Sequence, residues 1–158
     1  MAAPLPRSTG AHIDEISLSI IEQLQQDGRR AYATIGKAVG LSEAAVRQRV
    51  QRLVESGAVH IAAIPDPAHL GLTRQAMIGI QADGNLDALT DALSALPETG
   101  FVVVTAGTFD VFVEIICEDD EHLLSVLNTR IRTLPGVHRT ETFVHLSVRK
   151  DRFGRTAR

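Results

Sequence analysis

Residues 40–57 read GLSEAAVRQRVQRLVESG, and this stretch decides how the first part of the chain folds. Ser42 is a residue type that caps a helix N-terminus, and the closing glycine is a type that ends one. Between them Val46, Val50 and Leu53 recur at intervals of four and three residues, which places them on one apolar face. The spacing therefore predicts an amphipathic helix that begins at Ser42 and ends one residue before the glycine.

The polar side of this predicted helix is rich in hydrogen-bond donors. It carries Arg47, Gln48, Arg49, Gln51 and Arg52. Such side chains can donate to base edges and to phosphate oxygens. A short helix is predicted over residues 34–39, and the three residues after it have the length of the turn in a helix-turn-helix. An ordinary amphipathic helix with a solvated basic side is the alternative, but the preceding helix and a following strand favour the DNA-binding motif.

A further helix is predicted upstream, where Asp14 can act as the N-cap and Asp27 and Gly28 end the apolar periodicity. The three helices together predict a small core formed by Ile20, Leu24, Ile35, Leu41, Val46, Val50 and Leu53. Residues 58–64 alternate in the manner of a short strand, which would complete a winged helix-turn-helix domain over residues 12–64. Residues 1–11 contain two prolines and a glycine and predict a disordered leader.

The net charge of −3 conceals an uneven distribution. Residues 1–60 carry seven Lys or Arg against six Asp or Glu, residues 61–148 carry four against twelve, and residues 149–158 carry five against one. The acidic middle is a poor surface for nucleic acid, whereas the arginine-bearing helix and the basic tail suit one. The chain therefore predicts two modules with different partners, joined by a linker over residues 65–73.

The second module has a different period. It predicts a strand over residues 75–82, a helix over 86–96, a hairpin formed by the apolar runs FVVVTAG and DVFVEIICE, a helix ending near residue 133 and a last strand over 137–148. This βαββαβ order is that of a ferredoxin-like domain, here over residues 74–148. The fold class expected for the whole chain is therefore α+β.

The predicted hairpin strands are apolar on both faces, since FVVV and VFV contain no polar alternation. In an antiparallel sheet covered by helices on one face only, the other face would normally be polar. We therefore expect a second copy of the same sheet to cover it, which gives a twofold dimer. Coverage by the linker or the tail is the alternative.

Residue usage argues against several other classes of site. The lone Cys117 lies in an apolar run, which favours a buried thiol over a nucleophile. The six histidines lack paired spacing, so no metal site is expected, and no cofactor or catalytic-triad motif is present. We expect a protein that is not an enzyme and binds no cofactor. The first residues lack the apolar core of a signal peptide and no apolar run is long enough to span a bilayer, so a cytoplasmic location is expected.

Five motifs together resemble one family. They read I-D-E-I at 13–16, L-x-x-D-G-R at 24–29, I-G-K-A-V-G-L-S-x-x-x-V-x-x-R-V-x-x-L-x-x-x-G at 35–57, A-G-T-F-D at 106–110 and L-P-G-V at 134–137. In this order the chain resembles the Lrp/AsnC, or feast/famine, transcription regulators over about residues 12–150. The resemblance implies a DNA-binding domain, a small-molecule-sensing domain, and homodimers that associate to tetramers or octamers. It also implies an amino-acid effector and control of amino-acid metabolism or transport genes.

Carried over residue by residue, the resemblance assigns the DNA contacts to the recognition helix and to the helix before it. The side chains expected at double-stranded DNA are Thr34, Ser42, Glu43, Ala44, Ala45, Arg47, Gln48, Arg49 and Arg52. Arg and Gln can make bidentate contacts with bases, whereas phosphate contacts mainly position the protein. Glu43 could accept a hydrogen bond from cytosine, but stabilisation of the helix N-terminus is the favoured role.

The resemblance places the effector at the hairpin, where Gly107 and Asp110 match the motif and Phe109 stands where the family usually has tyrosine. Exposed N–H groups at a hairpin glycine can receive an α-carboxylate, and an aspartate can hold an ammonium group. Weaker candidates for the effector site are Thr105, Ala106, Thr108, Leu134, Gly136, Thr140 and Thr142. The alternative is that Gly107 only makes the turn and Asp110 only begins a strand.

Two functions of other classes stay open from the sequence. The chain is also similar in architecture to sirohaem decarboxylases, for which His138, Arg139 and His145 would be the residues of interest. An architectural, chromatin-compacting protein without an effector is the other. Tetrapyrrole binding would indicate the first, and weak sequence preference with a steep salt dependence would indicate the second.

Overall fold

The computed structural model describes residues 13–149, and the chain divides between Ala63 and Ile64 into two compact units. The predicted leader over residues 1–11 lies outside the described residues, as does the predicted tail beyond Arg149. Within the described residues, no helix has both the length and the apolar character that a bilayer crossing requires. The α+β fold class predicted from the sequence is confirmed.

The first unit consists of three helices, α1 (Glu15–Gln26), α2 (Tyr32–Val39) and α3 (Glu43–Glu55). Asp14 and Ser42 cap α1 and α3 as predicted, accepting backbone hydrogen bonds of 2.8 and 3.2 Å. The predicted core is confirmed: Ile20, Leu24, Ile35, Val46 and Val50 form one cluster, Leu41 packs against it, and Leu53 is buried. Burying each large aliphatic side chain contributes about 1.5–3 kcal/mol, more than a typical cap at about 1 kcal/mol. Packing therefore dominates the stability of this unit.

The turn between α2 and α3 depends on two glycines. Gly40 has a φ of +72°, a left-handed conformation that favours glycine. Gly36 lies inside α2, and a Cβ atom there would overlap the carbonyl oxygen of Leu41. The Leu41 N–H in turn donates to the Gly36 carbonyl at 2.9 Å. The two helices of the motif therefore approach each other at backbone contact.

The strand predicted over Ala58–Ile64 is wrong, because the structure has no strand there. The Val59 N–H donates to the Leu53 carbonyl at 3.1 Å, but no strand of the described chain pairs with the rest of the segment. A strand needs a partner for its N–H and C=O groups, and apolar alternation alone does not supply one. Ile61 and Ile64 stay half exposed. Within the predicted linker, Pro67–Leu70 form a 3-10 turn.

The second unit has the predicted βαββαβ order. Its elements are β1 (Arg74–Ala82), α4 (Leu86–Ser94), β2 (Thr99–Val104), β3 (Val111–Cys117), α5 (Asp120–Val126), which continues as a π-helical turn (Leu127–Ile131), and β4 (Val137–Val144). The four strands form one antiparallel sheet in the order β2-β3-β1-β4. In this order β1 and β3 lie at the centre of the sheet, and β2 and β4 lie at its edges.

Helices α4 and α5 cover one face of this sheet. The core on that face is formed by Ala76, Ile78, Ile80, Leu89, Leu93, Val111, Val113, Ile115, Cys117, Leu123, Val126, Leu127 and Ile131. On the opposite face, which we call the open face, the hairpin strands carry apolar side chains, as the sequence predicted. By strand alternation the open face carries Met77, Phe101, Val103, Phe112, Ile116 and Phe143. Glu114, which is 6% exposed, lies on that face with its carboxylate beside Gly100, and the same register places Arg139 and Glu141 of β4 there.

Candidate nucleic-acid interface and effector site

The outer side of α3 is an exposed polar surface. Ser42, Glu43, Ala44, Arg47, Gln48 and Arg52 are exposed, Ala45 is half-buried, and Thr34 is exposed on α2. A shallow depression on this side is lined by Ala44, Ala45, Arg47, Gln48 and Gln51. The buried positions Val46 and Val50 hold the opposite side of the helix against the core. The structure therefore brings most of the predicted DNA-contacting residues onto one surface.

Arg47 is held by two neighbours on this surface. Its Nη2 donates to Glu43 Oε1 at 2.8 Å, one turn earlier in α3. Its guanidinium also lies over the Tyr32 ring, 5.2 Å from the centroid. Both members of the ion pair are more than half exposed, so solvent screens the pair and it is worth little in stability. Glu43 lies in the first turn of α3, which suits the predicted role at the helix N-terminus.

Arg49 does not lie on the outer side of α3. Its Nη1 donates to Asp14 Oδ2 at 2.6 Å and to Ser17 Oγ at 3.1 Å, and its side chain is 31% exposed. Hydrogen bonds from Ser17, then from Arg49, lower the pKa of Asp14 from 3.8 to about 2. Arg49 therefore joins α3 to the start of α1, and the structure does not place it with the predicted groove residues.

The other long polar side chains of α3 differ in availability. Gln51 Nε2 donates to Glu55 Oε1 at 2.8 Å. Among residues 13–149, the Gln48 amide and the Arg52 guanidinium have no side-chain partner. Two donors of different chemistry, one neutral and one charged, are thus free on the same helix.

The second candidate site is the connection between β2 and β3. Asp110 ties this connection to β1: its N–H donates to the Ile80 carbonyl at 2.9 Å, and its Oδ2 accepts from the Ala82 N–H at 2.9 Å. The Thr105 N–H donates to the Asp110 carbonyl at 2.8 Å, which closes the loop. One carboxylate oxygen of Asp110 is therefore already used by the fold.

The tip of the connection is open. Ala106, Gly107 and Thr108 are exposed, and nothing lies within 4 Å of where a Gly107 Cβ would stand. The backbone N–H groups of residues 106–109 have no acceptor within residues 13–149. The Thr108 carbonyl accepts from Gln81 Nε2 at 2.7 Å, which anchors the tip from β1. The tip therefore presents the N–H groups of residues 106–109 without an acceptor in residues 13–149, on a loop that Gln81 holds to β1.

Phe109 turns away from this tip onto the open face. Its ring lies over Gly79, where a Cβ would stand only 2.8 Å from the ring carbons. It also meets Phe112 and Phe143 edge to face, with centroid separations of 5.3 and 6.2 Å. The ring therefore belongs to an aromatic cluster on the sheet, and the loop and the open face share this residue.

The turn before β4 reaches the same end of the sheet. The Asp83 N–H donates to the Gly136 carbonyl at 2.9 Å, and Ala82 pairs with Val137. Leu134 packs against the core. Gly136 is therefore brought near the loop that Asp110 ties to Ala82.

Thr140 and Thr142 lie elsewhere. They pair with Ile80 and Ile78, further along β4 and away from the tip. The Thr140 hydroxyl accepts a 3.0 Å hydrogen bond from Arg132 Nε. The structure does not bring these two threonines to the loop tip.

Two of the three residues of interest for an enzyme, His138 and Arg139, have surface partners, whereas the buried Nδ1 of His145 has none in the described residues. His138 Nε2 lies 2.6 Å from Asp83 Oδ2, and Arg139 lies 3.9 Å from Glu141. No group of three or more His, Cys, Asp or Glu side chains arranged for a metal occurs in the described part of the chain.

The sequence reasoning missed two glycines that shape these sites, Gly36 beneath the helix-turn-helix turn and Gly79 beneath Phe109. A glycine inside a helix or strand is itself a signal of close approach by backbone or ring. What approaches it was not visible from the sequence, because both neighbours are set by tertiary packing.

Two family models match the chain. One describes an AsnC-type helix-turn-helix domain and matches residues 13–54, and the other describes a C-terminal dimeric alpha+beta barrel domain of AsnC regulators and matches residues 72–155. The HTH-type transcriptional regulator FL11 of Pyrococcus horikoshii is 34% identical over 141 residues, covering 88% of this chain and 93% of its own.

Two further likenesses point the same way. The proline dehydrogenase transcriptional activator of Rhizobium radiobacter is 30% identical over 137 residues, covering 84% of this chain and 88% of its own. Among solved structures, E. coli AsnC has a TM-score of 0.80 at 28% identity, with 88% of this chain and 95% of that chain covered.

Both units of the chain are thus matched, in order, by transcriptional regulators. The enzymatic alternative is therefore set aside, and the C-terminal unit is of a dimeric type. The chain belongs to the Lrp/AsnC family of helix-turn-helix transcriptional regulators.

Proposed function

We propose that this regulator binds specific DNA sequences through the outer side of α3 and responds to an amino acid held at the tip of the β2–β3 connection. The DNA-binding part of this proposal rests on the contrast between the buried and the exposed sides of α3. Val46, Val50 and Leu53 are buried, whereas Gln48 and Arg52 are exposed without partners in residues 13–149. A helix held by one side and furnished with donors on the other suits a DNA groove.

The free N–H groups of residues 106–109 support the effector half of the proposal. Consecutive unpaired amides form a receptor for an anion such as an α-carboxylate. The second oxygen of Asp110 is the nearest candidate for the ammonium group, because the first accepts from Ala82. The likeness to a proline dehydrogenase transcriptional activator supports target genes of amino-acid metabolism or transport.

The open face of the sheet supports a proposal about how copies of the chain associate. Phe101 and Phe143 are 50% and 43% exposed there, more than an isolated sheet normally leaves to water. We propose that a second copy covers this face and that the dimers associate further, to tetramers or octamers. In analytical ultracentrifugation Phe101→Glu should shift the protein toward monomer, while Leu124→Glu, an equally exposed leucine on α5, should not. Unchanged assembly of both variants would argue against this interface.

DNA binding is tested with Arg52→Ala and Arg49→Ala. Arg52 is free to contact a phosphate, so its removal should weaken binding across sequences and lower the salt slope by about 1. Arg49→Ala should leave that slope unchanged, because its guanidinium is used within the fold. The measurement is a fluorescence anisotropy titration at several salt concentrations on duplexes selected by the wild-type protein. A protein that selects no sequence and shows only a steep salt dependence would be architectural instead.

Effector binding is tested with Gly107→Val. This change crowds the tip amides without a clash, since nothing lies within 4 Å of the Cβ position. Calorimetry with a panel of the L-amino acids should detect a binder of the wild type that the variant has lost, at an unchanged melting temperature. Asp110→Ala is a poorer test because it also frees the Ala82 N–H. Binding that survives Gly107→Val would place the effector elsewhere.

A further inference from the structure

The exposed side of α3 has a definite order of side chains. Ala44, Gln48, Gln51 and Glu55 follow one another at helical spacing along its centre, directly opposite the buried Val46, Val50 and Leu53. Arg47 lies along one border of this line and Arg52 along the other. A groove that faces the first half of this line would meet Ala44 and Gln48 before it meets the two arginines, while Gln51 lies further along, bonded to Glu55.

Three of the long polar side chains of α3 are already engaged. Arg47 is paired with Glu43 at 2.8 Å and lies over Tyr32. Arg49 is bonded to Asp14, and Gln51 to Glu55 at 2.8 Å. Gln48 is the central polar side chain whose amide has no partner in the described residues. It can therefore bind DNA without breaking an internal hydrogen bond first.

Gln48 and its neighbour Ala44 have the chemistry to recognise particular bases. The amide of a glutamine can donate to N7 of adenine and accept from its N6 amino group. A bidentate contact with guanine needs two donors, as an arginine supplies. Ala44 lies one turn before Gln48, about 6 Å along the axis, or about two base steps. Its methyl group suits the thymine C5 methyl. To reach a guanine, Arg47 would have to exchange its contact with Glu43 and its position over Tyr32, whereas Gln48 has no partner to exchange in the described residues.

We infer that Gln48 is the base-reading side chain of α3, that it reads an adenine, and that Ala44 contacts a thymine methyl within two base pairs of it. Each half-site should therefore contain A·T pairs at its centre. This inference rests on the proposed DNA-binding function. Arg52 then contacts the phosphate backbone and contributes affinity without base preference.

The test uses a library of duplexes with 25 randomised base pairs, selected separately by the full-length wild type, Gln48→Ala and Gln51→Ala. Gln51→Ala is the matched control, because it removes the same side chain three residues along the same exposed line. The wild type and the control should enrich the same motif, with an A·T pair whose enrichment is lost in Gln48→Ala. On the best wild-type duplex, Gln48→Ala should weaken binding about tenfold to a hundredfold and the control less than about twofold.

A second measurement couples the residue to the base pair. Replacing the selected A·T pair by G·C should weaken wild-type binding by a similar factor and leave Gln48→Ala binding unchanged, which a double-mutant cycle detects. If the wild type enriches a motif and Gln48→Ala enriches the same motif equally well, the inference is overturned while sequence-specific binding stands. If the wild type enriches no motif, sequence-specific binding itself fails, and the inference fails with it. Circular dichroism of each variant verifies that its helices are intact.

Discussion

The Arg49 guanidinium donates a 2.6 Å hydrogen bond to the carboxylate of Asp14, the residue that also caps the first turn of α1. The Asp14 carboxylate therefore caps the start of α1 and also binds Arg49 of α3, 35 residues away in the chain. Ser17, in the first turn of α1, adds a second contact with Arg49 at 3.1 Å. The orientation of α3 against α1 depends in part on this contact.

Removing the guanidinium should loosen this junction. We expect Arg49→Ala to lower the melting temperature of the N-terminal unit, because Asp14 loses its charged partner and α3 loses a contact with α1. Arg52→Ala, a removal of the same side chain type from an exposed position without a partner in residues 13–149, should change the melting temperature little. Thermal unfolding followed by circular dichroism compares the two. Equal melting temperatures for both variants would show that the contact carries no stability.

The lowered pKa of Asp14 predicts a pH dependence. Since its pKa is about 2 in the folded protein and 3.8 ordinarily, its stabilising effect is fully present above about pH 5 and is lost as the pH falls through 3.8 toward 2. Asp14→Asn keeps a good N-cap but removes the charge. The stability difference between wild type and variant should therefore shrink between pH 5 and pH 2, measured by urea unfolding. A stability difference that stays constant between pH 5 and pH 2 would contradict the lowered pKa of Asp14.

Gly36 should tolerate no side chain. A methyl group there would overlap the carbonyl oxygen of Leu41, which is backbone and cannot rotate away. Gly36→Ala should therefore destabilise the N-terminal unit by about 1–3 kcal/mol and weaken DNA binding by displacing α3. Gly28→Ala is the control, because its Cβ would be 3.9 Å from the nearest atom. Urea unfolding of both variants measures the difference, and equal stabilities would rule out the close approach.

Phe109 should matter for packing more than for effector contact. Its ring covers Gly79 and lies against Phe112 and Phe143 on the sheet. Phe109→Ala should lower the unfolding free energy of the C-terminal unit by about 1–3 kcal/mol, less than for a fully buried ring. Phe109→Tyr, the residue usual in the family, should cost less. Denaturant unfolding tests both, and an Ala variant as stable as the wild type would contradict the packing role.

Cys117 should be unreactive in the folded protein. It is fully buried, and burial, with the neighbouring charge of Glu98, raises the pKa of its thiol to about 11. At pH 8 roughly one thiol in a thousand is then the reactive thiolate. A thiol reagent such as dithionitrobenzoate should label the protein quickly in 6 M guanidinium and very slowly without denaturant. Rapid labelling of the native protein would show that the second unit opens readily.

The fold followed from the sequence where local signals agreed. Helix α3 was predictable to within a residue at each end, because a cap, an apolar period and a terminal glycine point to one structure. The hairpin strands were predictable because their apolar runs are interrupted by a glycine-containing turn. Ala58–Ile64 carried a comparable alternation and failed, since pairing needs a neighbouring strand that local sequence does not supply.

The element on which each candidate residue lies was predictable, but the hydrogen-bond partners of its side chain were not. Helical spacing placed Arg47, Gln48 and Arg49 on the polar side of α3, and only the structure separated the free Gln48 from Arg49, which Asp14 holds. Asp110 was predicted at the loop, and its bond to the Ala82 N–H appeared only once β1 lay beside it.

The sequence by itself determined the helices of both units, the four strands of the sheet and the apolar character of the hairpin strands, because these depend on spacing within one segment. The tertiary structure alone decided which polar groups are already satisfied and which are left for a ligand. A hydrogen bond needs two groups within about 3 Å. When these groups lie tens of residues apart, as Arg49 and Asp14 do, only the packing of helices and strands brings them together.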